Sequence, residues 1–266
     1  MTAASTRAMG ARLDAIDAYH QELVARLRAL LGDRLVGVYA GGSFVLGGFD
    51  HYLSDLDVAA ASTTHVSQHT RQAIVEALRQ ESLPCPARGL EFVLYPEPVL
   101  RTATTDPGFE LNLNTGARMS FRVHYEPGAE QHWFAIDRSI VAGHGKALYG
   151  PPARELFAPI PRGPLLEVVA ESIRWYRGVQ VAGRDAVLNA CRALRFAAEG
   201  VWSSKLAAGT WALERHLEPR LVVQALPARQ TEQPLDRVDV LRLLSRVQRT
   251  VQEAAARELR EPPGLP

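Results

Sequence analysis

Apolar residues recur with two different periods along this chain, and the change from one to the other divides it. Over residues 10–32, Leu13, Ile16, Leu23, Leu27 and Leu30 return at helical intervals. They predict an amphipathic helix that Gly32-Asp33 ends. Leu35 to Ala40 is a short β-like run leading straight into Gly41-Gly42-Ser43. Leu56 to Ala61 is a second expected strand, entered through Ser54-Asp55. Leu90 to Tyr95 is a third, stopped by Pro96 and Pro98. A helix over 65–81, with Ile74, Val75 and Leu78 on its apolar face, separates the second strand from the third.

Arg118 to Tyr125 alternates and reads as an added strand; Trp133 to Gly143 reads as a helix. Two punctuated stretches follow, at Tyr149-Gly150-Pro151-Pro152 and at Pro159 to Pro164. Beyond them only helical periods remain, over 165–177, 185–202, 205–217 and 236–259. The chain is therefore expected to be α+β, with strands and helices over residues 1–157 and a helical domain over 158–266. Glu261 to Pro266 reads as a frayed tail.

Composition narrows the function classes. At 266 residues and 47% hydrophobic, the chain can bury a core in each of two modest domains. Its formal net charge of +1 lacks the basic excess of a nucleic-acid binder, so nucleic acid is not expected as a partner. No apolar run is long enough to span a membrane, and residues 1–12 lack the apolar core of a signal peptide. A cytoplasmic protein is expected. The two cysteines, Cys85 and Cys191, have no zinc-type spacing and read as buried small side chains.

The chemistry concentrates between Gly41 and Asp57. Asp55 and Asp57 are two residues apart, so on an extended strand they point to one face. Paired carboxylates suit Mg²⁺, a hard cation that takes one or two of them and completes its shell with phosphate and water. Upstream, Gly42 and Ser43 form a turn that can offer backbone N–H groups and a hydroxyl to a phosphate. Glu91, set among large apolar residues, faces the same cleft if its strand lies beside that of Asp57. There it could deprotonate a hydroxyl nucleophile or complete the metal site.

Gly42-Ser43, Ser54-Asp55-Leu56-Asp57 and the later Glu91 together resemble the nucleotidyltransferase fold of the DNA polymerase β superfamily. The chain resembles most narrowly the aminoglycoside adenylyltransferases that modify streptomycin and spectinomycin. That likeness continues through Glu110-Leu111, Ile136 to Ile140, Ala147 to Pro151 and Glu155 to Pro161, then Leu188 to Phe196, Lys205 and Trp211 to Arg215. It implies a mixed sheet with flanking helices followed by an all-α domain. It also implies Mg²⁺ on Asp55 and Asp57, with Glu91 as catalytic base and further metal ligand. Gly42, Ser43, Ser54, Asp137, Arg192 and Lys205 would contact ATP.

The implied activity is transfer of AMP from ATP to a hydroxyl of a small molecule, an aminoglycoside or aminocyclitol antibiotic, by a monomer conferring resistance. The acceptor half departs from the family: Gly116 stands where a tryptophan is usual, and Gly183-Arg184-Asp185 where acidic drug ligands precede a helix. Two alternatives stay open, an adenylyltransferase with another acceptor and a nucleotide-binding protein without turnover.

Overall fold

A computed structural model describes residues 3–128, 132–179, 183–226 and 235–260. The first part runs α1 (Ala3–Leu31), β1 (Leu35–Ala40), α2 (Gly42–Val45), β2 (Leu56–Ser62), α3 (Gln68–Leu78), β3 (Leu90–Pro96), α4 (Glu97–Leu100), β4 (Leu111–Gly116) and β5 (Met119–His124). It continues through α5 (His132–His144), β6 (Lys146–Tyr149) and α6 (Ala153–Leu156). The helical part holds α7 (Arg162–Val179), α8 (Arg184–Glu199), α9 (Lys205–Glu214), α10 (Pro219–Ala225) and α11 (Arg237–Arg260). The tail over 261–266 lies outside the described residues.

The six strands form one sheet in the order β5-β4-β3-β2-β1-β6. Only β2 and β3 are parallel. Alternation gives the sheet two unlike faces. Leu56, Val58, Ala60, Leu90, Phe92, Leu94, Leu111 and Leu113 pack with Ile16, Leu23 and Leu27 of α1 and Ile74 and Leu78 of α3. The residues between them in sequence look the other way. Deep on that second face Ala59, Ala61 and Tyr95 meet Tyr39, Phe109 and Phe157. At its upper end the face is polar and forms the floor of the site described below.

The buried stripe of α1 is Ile16, Tyr19, His20, Leu23, Leu27 and Leu31; Leu13, expected on that face, is exposed. Helix α3 is shorter than its apolar pattern allowed. The Ser67 side chain accepts the Thr70 N–H at its start, and Arg79 is already extended at its end. Besides the one-turn helices α2, α4 and α6, three elements have no counterpart among the sequence expectations. Strand β4 alternates strictly, but its Leu-Asn-Leu-Asn pattern has poor strand propensity and is held by pairing on both sides. Strand β6 is four residues on the edge against β1, and α10 is a single short helix opened by Pro219.

The helical core gathers apolar residues of α7, α8, α9, α10 and α11, and also Ala135, Ile136 and Ile140 of α5. Helix α5 precedes the expected boundary in sequence, yet its inner face belongs to this core. Among the described residues no helix is long and apolar enough to cross a membrane.

Candidate active site

Register decides the central question. In the parallel β2–β3 pair, Asp57 stands directly beside Glu91. In the next pair Glu91 stands beside Asn114, and Asn114 beside Arg122 on β5. Lateral partners share a face, so Asp57, Glu91, Asn114 and Arg122 form one polar row across four strands. A second row, Ala59, Val93, Asn112 and His124, lies just below it. All eight line a cleft of about 1150 Å³ between the sheet and the helical part.

The turn after β1 closes one end of the row. The Gly41 N–H donates to the Asp57 carbonyl at 2.9 Å, tying the turn to β2. Gly42 follows with φ +53°, and a Cβ there would collide with the Asp57 carboxylate. Only glycine meets both conditions. The Ser43 hydroxyl is buried with no hydrogen-bond partner among the described residues, and Ser43 lines the cleft. An unpaired buried hydroxyl costs free energy unless a ligand satisfies it. Ser54 is engaged differently: its Oγ accepts the Asp50 N–H at 2.9 Å, closing the loop that leads to Asp55. Its own O–H proton is left for another acceptor.

Four acids converge on this cleft, Asp55, Asp57, Glu91 and Asp137. Burial pushes the Asp57 carboxyl well above the usual range, and the charges of Asp55, Glu91 and Asp137 push it further, against the pull of Arg192. Glu91 is raised to about 8, first by burial and then by Asp55 and Asp137, with Arg88 and Lys205 opposing. Asp137 rises to about 7 through burial, Arg192 working against that and Asp55 with it. Two like charges about 5 Å apart repel by about 3 kcal/mol at an effective dielectric of about 20. An exposed ion pair returns no more than about 1 kcal/mol. Arg88, 3.5 Å from Asp55, therefore does not balance the cluster, which calls for a denser positive charge.

A divalent cation fits this donor set. Among the described residues no three acidic, histidine or cysteine side chains form a closed cage. Paired aspartates beside a phosphate-sized turn suit Mg²⁺, which keeps several positions for phosphate and water. Glu91 stands beside Asp57 in the pairing of β2 with β3.

The helical part supplies the opposite wall. A Cβ on Gly48, in the loop after α2, would meet Ser204 Cβ at 2.5 Å. That contact brings the start of α9 against the loop that follows the Gly42-Ser43 turn. Ser204 caps α9 by accepting the Ala207 N–H, and Lys205 follows it into the cleft. Lys205 Nζ is 3.0 Å from Asp185 Oδ1 on α8. Asn189 holds this corner, donating at 2.7 Å to the Tyr176 hydroxyl and at 2.9 Å to the Asp185 carbonyl. Arg192, one turn further along α8, lies over the Trp202 ring and also lines the cleft.

Known proteins share this architecture. The structure of spectinomycin adenyltransferase AAD(9) from Enterococcus faecialis, with ATP and spectinomycin, superposes with a TM-score of 0.66 at 16% identity. The match covers 88% of this chain and 98% of that one. Two sequence relatives, each named aminoglycoside (3'') (9) adenylyltransferase, come from Klebsiella pneumoniae and Escherichia coli. Each is 29% identical over 202 residues, 73% of this chain and 77% and 76% of the relative. Residues 155–257 match the family model for the aminoglycoside adenylyltransferase C-terminal domain. The chain is similar to the aminoglycoside adenylyltransferases in sequence and in fold. The matched residues 155–257 include Lys205, Arg192 and Asp185, the helical wall of the cleft.

All the expected site residues, Gly42, Ser43, Ser54, Asp55, Asp57, Glu91, Asp137, Arg192 and Lys205, line this one cleft. Sequence reasoning did not reach Asn112 and Asn114, because β4 was not foreseen, nor Arg122 and His124 of the expected strand over 118–125, which β4 joins to β3. The alternation Leu111-Asn112-Leu113-Asn114 was the signal that could have found it. It also passed over Arg88, which lies three residues before Glu91.

Proposed function

We propose that this chain transfers AMP from ATP to a hydroxyl of an aminoglycoside or aminocyclitol antibiotic. The lateral pairing of Asp57 with Glu91 beside the Gly42-Ser43 turn is the observation that carries the reading. It sets an expected phosphate site after β1 and a candidate base on β3 on either side of the Asp57 strand. The names of the relatives support the reaction class.

In this reading Asp55 and Asp57 hold Mg²⁺, which would supply charge neutralisation for the triphosphate. Ser43 donates its unpaired hydroxyl to a phosphate oxygen, and the Gly42 backbone comes close because it has no side chain. Lys205 turns from Asp185 to the phosphates, and Ser54, Asp137 and Arg192 line the nucleotide's side. Glu91 accepts the proton of the acceptor hydroxyl. The resulting oxygen attacks the α-phosphorus in line, the bond to the bridging oxygen breaks, and pyrophosphate leaves. Positioning and electrostatics carry most of the acceleration.

Incubation with ATP, Mg²⁺ and a panel including streptomycin and spectinomycin tests the proposal. Mass spectrometry is expected to detect an acceptor carrying one added AMP, with stoichiometric pyrophosphate. ATP binding without pyrophosphate on any hydroxylated acceptor would instead support the binding-only reading.

A further inference from the structure

Arg88 pairs with Asp55, one of the two proposed cation ligands, yet belongs to neither the Gly42-Ser43 turn nor the helical wall. Its main chain is fixed from two sides. The Arg88 N–H donates to the Ser54 carbonyl at 3.1 Å, and the next carbonyl, Gly89, accepts the Leu56 N–H at 2.9 Å. These two bonds bracket Asp55. On the far side the Arg118 N–H donates to the Arg88 carbonyl at 3.3 Å. Gly116 is packed so closely there that a Cβ would meet the Arg88 and Gly89 backbone at 2.4–2.6 Å. The residue is thus clamped between the strand that follows Asp55 and the β4–β5 hairpin.

The side chain leaves this clamp into the cleft. Arg88 Nη2 lies 3.5 Å from Asp55 Oδ2, and the Nε group is buried without a hydrogen-bond partner among the described residues. Asp55 forms no other ion pair among the described residues, and its side chain is one-quarter exposed. As a stability contact a part-exposed pair at this distance is worth little. As a restraint on one carboxylate oxygen it matters more, because carboxylates that bind metals depend on neighbouring donors to hold their orientation.

We infer that Arg88 is a positioning residue for the cation site. It holds Asp55 by one oxygen, leaving the other to the metal, and does so from a main chain that cannot shift. The inference rests on the assignment of Asp55 and Asp57 as cation ligands.

The test measures Mn²⁺ binding to the full chain by electron paramagnetic resonance, with α,β-methylene-ATP present and no turnover. Arg88→Met is expected to weaken Mn²⁺ by about 10–100-fold. Arg88→Lys is expected to recover part of that loss, since it returns charge without the planar fork. Metal-free binding of the analogue, followed by calorimetry, is expected to stay within about 3-fold of wild type, and a thermal melt confirms that each variant folds. Unchanged or tighter Mn²⁺ binding in Arg88→Met would overturn the inference, tighter binding marking Arg88 as a competitor of the metal. An equal loss of metal-free analogue affinity would also overturn it, marking Arg88 as a phosphate ligand. If wild type itself binds no Mn²⁺, the cation assignment fails and this inference with it. If wild type binds and Arg88→Met binds equally, only the role of Arg88 fails.

Discussion

Gly42 and Asp57 occupy each other's space: a methyl group on the glycine would fall inside the van der Waals shell of the carboxylate. The same glycine has φ +53°, where a side chain is strained regardless of neighbours. Gly42→Ala should therefore act twice. The backbone strain should lower stability by about 1–3 kcal/mol. Displacing Asp57 should reduce AMP transfer by about 100-fold, the scale of a 1 Å misplacement near the chemistry. Chemical denaturation and steady-state kinetics would check the two effects separately. Normal turnover in a folded Gly42→Ala variant would mean that the close approach has no catalytic role.

Removing the candidate base should separate chemistry from binding. Glu91→Gln keeps the size of the side chain and removes its basicity. Transfer should fall by about 10²–10⁴-fold, the range ascribed to a general base. Calorimetry should find ATP affinity within a few-fold of wild type. A variant that turns over at nearly the native rate would shift the base role to another residue.

Lys205 and Asp185 should give opposite signs. The 3.0 Å ion pair keeps Lys205 on the helical wall, and the proposed chemistry moves it to the phosphates. Lys205→Ala should raise the KM for ATP by about 10-fold, matching the 1.5 kcal/mol or more of a charge-assisted hydrogen bond. Asp185→Asn removes the competitor and should leave that KM unchanged or lower. A KM raised alike by both substitutions would identify the pair as a structural unit.

Acid should destabilise the fold through His20. This side chain is buried on α1 against the Phe44 ring, with neither ring nitrogen hydrogen-bonded among the described residues. Its pKa is lowered to about 4, first by burial and then by Lys146, with Asp17 opposing. Below pH 6.5 the unfolded chain takes up a proton that the folded chain refuses. The contribution is thus fully present above pH 6.5 and lost as pH falls to about 4. It amounts to about 3 kcal/mol. His20→Leu should flatten the stability curve across that window, measured by urea unfolding at a series of pH values. A curve as steep as wild type would place the titrating group elsewhere.

Much of the site could be read from residues alone, because its parts are short-range. Asp55 and Asp57 share a motif, and Gly42-Ser43 lies in the turn just before it. Glu91 was conditional on which strands lie side by side, which no local pattern records; the parallel register with Asp57 supplies the missing link. The Asn114 and Arg122 end of the row was hidden for the same reason, compounded by asparagines in a strand. Leu13 illustrates the opposite failure. It keeps the helical spacing of α1 yet remains exposed. The contact between Gly48 and Ser204 spans more than half the chain, and nothing in either sequence neighbourhood announces it.

Helix α5 sits on the seam, with Asp137 toward the cleft and Ile136 and Ile140 in the helical core. Cutting the chain near residue 157 would leave α5 on the first fragment with its greasy side uncovered, and would strip the second of part of its interior. The two halves are thus not interchangeable modules. A chimera that borrows its helices from a relative would need to bring that relative's α5 along, or redesign the three positions where it plugs in.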